Sequence, residues 1–225
     1  MSEGQAQLII RNPVIETPVV VCPRQTPPWK RWLDLVVTVT LLPLLCPLLA
    51  VIAVYIRCVT GGPVFFVQPR VGYGGETFTI YKFRTMRVAH QPREETHRRY
   101  VAEQVSVDGP AHKPKYQDEL IPGGKLLRQL SLDELPQLLN VLQGNMSLVG
   151  PRPDLLQLMD YDDWQVRRFE VLPGMTGLWQ VSGKNRLSFD QMIELDLRYV
   201  EQRSLGTDLR ILVKTIGVLV FQRNE

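Results

Sequence analysis

The sequence predicts an α+β protein, mostly helical, in which a re-entrant membrane helix-break-helix joins a domain with a small β-hairpin and interfacial amphipathic helices. Three observations carry that reading. Leu35 to Ile56 is a run of 22 residues without a charge, bounded by Asp34 and Arg57, and long enough to be a membrane segment. Pro43 and Pro47 fall at the middle of that run. Beyond it, a β-branched and aromatic stretch turns back on itself at Gly72, Gly74 and Gly75, and a leucine stripe at helical spacing follows.

A straight helix of 22 residues would be about 33 Å long, just enough to cross the hydrocarbon core. Each proline removes a backbone donor and crowds the preceding turn. Both flanks are basic, with Arg24, Lys30 and Arg31 before the run and Arg57 and Arg70 after it. Equal flanks give a single crossing no orientation, and suit a segment whose two ends emerge on one cytoplasmic face. The expectation is a re-entrant pair of half-helices broken at Pro47, with a kinked spanning helix as the alternative.

The chain divides into an extended proline-rich segment over 1–28, the membrane helix over 29–58, and a cytoplasmic domain over 59–225. Five prolines in the first segment favour strand or polyproline structure. Residues 64–67 and 77–84 read as hairpin arms, the second with Phe78 and Ile80 on the same face as Lys82 and Arg84. Residues 88–120 are polar, with a surface helix expected near 93–105. Leu132, Leu135, Leu138, Leu139 and Leu142 mark an amphipathic helix, and 154–169 and 187–202 also read as helical. The last 18 residues fit either an interfacial helix or a core helix.

Composition narrows the function. With 26 Lys and Arg against 23 Asp and Glu, the chain lacks the basic excess of a dedicated nucleic-acid binder. Cys22, Cys46 and Cys58 have no disulfide-framework or zinc spacing, which suits a reducing compartment. All three histidines fall in the polar stretch, so a histidine triad or zinc site is not expected. Ser131-Leu132-Asp133-Glu134 opens the leucine stripe. It can be read as a capping box, with Ser131 as N-cap and Glu134 reaching back. It can also be read as a carboxylate pair for a hard cation, with Arg128 and Arg152 nearby in sequence to hold phosphate. Arg152 lies between Pro151 and Pro153, which limits its backbone freedom.

Five ordered segments carry a resemblance: Lys30-Arg31-x-x-Asp34, Ile80–Met86, Ser131–Leu138, Asn145–Pro153 and Pro173–Gly183. From about residue 29 to 222 the chain resembles the bacterial sugar transferases, the monotopic phosphoglycosyltransferases or polyprenyl-phosphate hexose-1-phosphate transferases, with a longer stretch at 88–120. The resemblance implies that 59–225 is a catalytic domain with Asp133 and Glu134 as its dyad and Mg2+ as cofactor on those carboxylates. Asp133 would be the nucleophile on a UDP-sugar, releasing UMP, and a polyprenyl phosphate would then accept the sugar phosphate.

Lys82, Arg84, Arg128 and Arg152 are the expected phosphate contacts. Lys30, Arg31, Asp34 and Pro47 are expected at the membrane interface, the first two against anionic lipid. The implied place is the bacterial inner membrane, with the catalytic domain on the cytoplasmic face. The extended N-terminal segment could reach a second subunit. Three positions depart from the family pattern. Cys46 stands where a serine usually precedes the proline of the break, Leu172 where a basic residue often precedes Pro-Gly, and Pro122-Gly123-Gly124 where an arginine-glycine pattern is common. A metal-dependent UDP-sugar phosphohydrolase and a non-catalytic membrane scaffold remain the alternatives.

Overall fold

The computed structural model describes residues 21–87, 120–154, 156, 158–183 and 186–221. Residues 1–20 and the helix expected at 93–105 lie outside the described residues. The described residues begin with an irregular stretch over 21–27, whose Arg24 amide donates to the Glu170 carbonyl at 2.8 Å, laying it along the domain.

Helix α1 (Pro28–Thr60) starts with proline at its first position, where the missing N–H costs nothing, and ends at Gly61 in the left-handed conformation (φ 62°). Its 33 residues make it about 50 Å long. It is the one helix among the described residues long and apolar enough to cross a membrane. The expected break at Pro47 is absent: α1 runs as one helix through Pro43 and Pro47. The prolines are four apart, so the lost bonds fall on one side, and the leucines between and around them favour helix. The two ends of α1 pack on the domain, whereas no residue from 39 to 51 is buried.

Two expectations about the interface are corrected. Lys30 and Asp34 face the interior, 0% and 1% exposed, and not lipid headgroups. Lys30 Nζ donates to Asp208 Oδ2 (2.6 Å), the Val149 carbonyl (2.8 Å) and the Tyr199 hydroxyl (2.9 Å). Asp34 Oδ1 accepts from Ser147 Oγ (3.0 Å) and the Leu148 amide (2.9 Å). A buried charge persists where such partners meet it. Arg31 also turns inward and donates to the Val141 and Leu142 carbonyls, while Pro47 is exposed.

Strands β1 (Phe65–Val71) and β2 (Thr77–Phe83) form the expected antiparallel hairpin, with Phe65 opposite Phe83 and Val71 opposite Thr77. Helix α2 (Gly124–Gln129) leads to a 3-10 turn (Leu132–Gln137) and then to helix α3 (Leu138–Gln143). The leucine stripe is therefore not one helix, because Pro136 lies within it and the first turn tightens. Residues 154–169 likewise form 3-10 turns (Leu158–Asp160, Gln165–Glu170) where a helix was expected.

Strands β3 (Ser147–Val149) and β4 (Gly174–Thr176) pair in parallel, a contact too short for the sequence to announce. Around it the Gly150 amide donates to the Thr176 carbonyl (2.9 Å) and the Gly174 amide to the Pro151 carbonyl (2.8 Å). A Cβ on Gly174 would strike the Gly150 backbone, so these glycines permit the close approach. The loop carrying Arg152 is thereby locked to the Pro173–Gly177 turn.

Helix α4 (Phe189–Gln202) opens with a complete capping box between Ser188 and Gln191. Helix α5 (Leu205–Phe221) answers to both readings of the C-terminus. It buries Asp208 and Ile211, yet leaves Leu209, Val213 and Ile216 exposed. The main core joins Ile80, Val141, Met146, Val149, Tyr199 and Ile211. A second cluster gathers Leu156, Tyr161, Phe169, Phe189 and Ile193. A third packs Ile52 and Ile56 of α1 on Phe83, Ile121 and Leu127.

Candidate active site

Asp133 and Glu134 lie in the first turn of the 3-10 segment. The capping box does not form. Ser131 adopts the left-handed conformation (φ 53°) and its side chain caps nothing. Glu134 instead binds cations: Arg152 grips both its oxygens, Nη1 reaching Oε2 at 2.9 Å and Nη2 reaching Oε1, and Lys82 Nζ reaches Oε1 at 3.2 Å. Burial alone would raise the Glu134 pKa, but the charges and hydrogen bonds of Arg152 and Lys82 hold it well below the usual carboxylate range.

Asp133 differs from its neighbour. No hydrogen bond or ion pair reaches its side chain among the described residues. Burial first, then the adjacent Glu134 charge, push its carboxyl up to about 6, against the opposing pull of Lys82, Arg128 and Arg152. Two carboxylates with opposite environments are thus one residue apart: one spent on cations, the other basic and open.

Several elements set this geometry. Asn140 on α3 accepts from the Tyr81 amide (3.2 Å) and donates to the Thr79 carbonyl (2.6 Å), fixing β2 so that Lys82 meets Glu134. Arg128, in the last turn of α2, is steadied by Thr85 Oγ1 at 2.9 Å. Lys82 and Arg152 bond to Glu134, and the charges of Lys82, Arg128 and Arg152 act on Asp133. The Arg84 guanidinium lies 3.4 Å from where a Cβ on Gly62 would be, at the exit of α1. Leu172 is buried and offers no charge before Pro173.

Beside the dyad is a pocket of about 260 Å³. Arg70, Lys82, Arg152 and Arg168 line it with a single acid, Asp154, while Trp179, Phe189, Met192 and Ile193 give it an apolar wall. Arg168 donates to Asp196 (2.7 Å), the Tyr161 hydroxyl (3.0 Å) and the Arg152 carbonyl (2.7 Å), which braces the Arg152 loop. In the sequence Arg70 reads only as a flanking charge, and Arg168, Asp196 and Trp179 carry no functional signal. The alternation of Gln68 and Arg70 on one face of β1 was the available signal for Arg70. A cationic pocket with one apolar wall fits a nucleotide diphosphate attached to a ring.

A hard cation fits this site in part. Magnesium takes few protein carboxylates and fills its shell with water and substrate phosphate. Asp133 has oxygens to offer; both Glu134 oxygens are taken by Arg152 and Lys82. No group of three or more candidate ligands occurs among the described residues.

A family model described as bacterial sugar transferase matches residues 25–222. The chain belongs to the bacterial sugar transferase family. Among relatives of this transferase, an uncharacterized sugar transferase, EpsL, of Bacillus subtilis is 41% identical over 188 residues, covering 83% of this chain and 85% of that protein. A Caulobacter vibrioides protein named UDP-glucose:undecaprenyl-phosphate glucose-1-phosphate transferase is 38% identical over 206 residues, 87% of this chain and 71% of that one. The galactosyl transferase CpsE of Streptococcus agalactiae is 38% identical over 201 residues, 85% of this chain but only 42% of its own length.

The raised Asp133 pKa gives a directional test within this family. Below pH 6 the group is mostly a neutral acid, and above it mostly a carboxylate. If the Asp133 carboxylate is the reacting form, the rate of sugar-phosphate transfer at low donor concentration should rise about tenfold in all between pH 5 and 8, with half of that rise reached near pH 6. Glu134, held low by its cations, stays ionised throughout.

Proposed function

We propose that the protein moves a hexose-1-phosphate from a UDP-sugar to polyprenyl phosphate through a phosphosugar ester on Asp133. The observation that supports this best is the open, basic Asp133 beside a cation-bound Glu134 and an arginine-rich pocket. In the first half, an Asp133 carboxylate oxygen attacks the sugar-bearing phosphorus. The bond to the bridging oxygen breaks, and UMP leaves. In the second half, a polyprenyl phosphate oxygen attacks the same phosphorus and returns Asp133 to its carboxylate form. One phosphoanhydride replaces another, so no separate energy source is needed.

Lys82 and Arg152 hold the diphosphate and screen the repulsion between anions, while Glu134 keeps both oriented. Arg128 adds positive charge on the Asp133 side. Magnesium, held by Asp133 with substrate phosphate, would add further charge neutralisation. Glu134 could join it only by releasing Arg152 or Lys82.

A lipid acceptor requires a membrane-associated site. The exposed apolar middle of α1, with both of its ends packed on one domain, supports a protein seated at the cytoplasmic face of the bacterial inner membrane. The names of relatives, an exopolysaccharide production protein of Rhizobium meliloti and two undecaprenyl-phosphate transferases, favour a lipid-linked step of exopolysaccharide assembly.

Product analysis tests the reading. Purified protein in lipid, given UDP-sugars and polyprenyl phosphate, should yield UMP and a lipid-extractable sugar diphosphate. Free sugar phosphate made without lipid would identify a hydrolase instead, and no turnover of any UDP-sugar would leave only a scaffold.

A further inference from the structure

The pocket holds four cations, and three of them already have an anion. Arg152 and Lys82 share Glu134, and Arg168 is paired with Asp196. Arg70 is different. It forms no salt bridge among the described residues, and its one hydrogen bond there is Nη2 to the neutral Gln68 Oε1 at 2.6 Å. Its Nε is buried without a partner. Burial pulls its pKa down to about 10, against the opposing charge of Asp154 in the same pocket, so it is still a cation at neutral pH.

A buried guanidinium with an unspent donor is costly unless an acceptor arrives. Gln68 and Arg70 point the same way from β1, two residues apart, so the strand presents the fork to the pocket as a fixed unit. Pro69 lies between them, opposite Thr79, which limits the backbone further.

We propose that Arg70 is a donor-binding residue whose free guanidinium donors take a phosphate oxygen of the nucleotide diphosphate. This rests on the transferase reading above and deepens it. Arg152 and Lys82 approach the diphosphate from the Glu134 side, and Arg70 closes on it from β1. A planar guanidinium suits this, since it binds phosphate with two parallel donors where an ammonium offers a point charge.

The test is calorimetric titration of the full chain in lipid nanodiscs with UDP, a probe that needs neither acceptor nor turnover. Arg70→Gln should weaken UDP binding about ten- to hundredfold, the loss expected for a charge-assisted hydrogen bond. Arg70→Lys should recover only part of it. Gln68→Glu keeps the hydrogen bond and the shape, yet places an anion on Arg70. It should weaken UDP binding several-fold, and it decides the matter if Arg70→Gln does not fold. Wild-type affinity in either Arg70→Gln or Gln68→Glu overturns the assignment, as does a wild-type protein that binds no UDP. An Arg70-dependent UDP complex that releases no UMP with any UDP-sugar and acceptor refutes the transferase reading alone.

Discussion

Asp133→Asn will abolish transfer, lowering UMP release by at least four orders of magnitude, because an amide cannot form the phosphosugar ester. The same substitution should leave the thermal midpoint unchanged or raise it. The sign follows from the pKa. An acid raised in the fold from an ordinary 3.8 to about 6 weakens the folded state as pH climbs through that window, and the full penalty is present above pH 6. Asparagine removes the buried charge, so any gain in stability appears at neutral pH and vanishes near pH 4. Mass measurement after incubation with donor alone gives a second readout. The wild-type chain should gain one hexose phosphate at Asp133 and the variant none. An active, normally folded Asp133→Asn protein would remove the nucleophile from the mechanism.

Lys30→Met will be the most damaging single change to stability. It strands Asp208, 0% exposed, with only the Tyr199 hydroxyl as a side-chain partner. Removing one member of a buried ion pair costs about 3–5 kcal/mol, which for a chain of this size lowers the melting midpoint by roughly 10 °C. Thermal melts in detergent or nanodiscs measure this. The double variant Lys30→Met/Asp208→Asn should regain much of the loss, since the uncompensated charge is gone. If the double variant melts as low as the single one, packing of the lysine stem and not its charge holds α1 to the domain.

The parts of this molecule legible in the sequence are those that depend on neighbours along the chain. The hairpin follows from alternation and Gly72, the apolar helix from its uncharged run, and the dyad with Lys82, Arg128 and Arg152 from short motifs. The parts that were not legible depend on distant partners. Lys30 looks like a headgroup anchor until Asp208, 178 positions away, is seen beneath it. Arg70 looks like a flank charge until the pocket closes around it. The proline break was inferred from lost donors, yet two prolines four apart in a leucine-rich stretch leave enough of the ladder for one continuous helix. Of the helix expected at 132–142 only Leu138–Gln143 winds as α, Leu132–Gln137 being 3-10, and 154–169 holds 3-10 turns, because apolar spacing of three and four does not by itself distinguish the tighter winding.

The first two turns of α1 hold β3 residue by residue: Asp34 takes the Ser147 hydroxyl and the Leu148 amide, and Lys30 takes the Val149 carbonyl. Three positions later comes Arg152. The start of α1 and the Arg152 loop are therefore one rigid lever. If α1 rests in a bilayer and Arg152 meets a membrane-bound acceptor, as proposed, the loop comes to rest at a set height above the greasy stretch, and lipid acyl length should act as a dial on turnover.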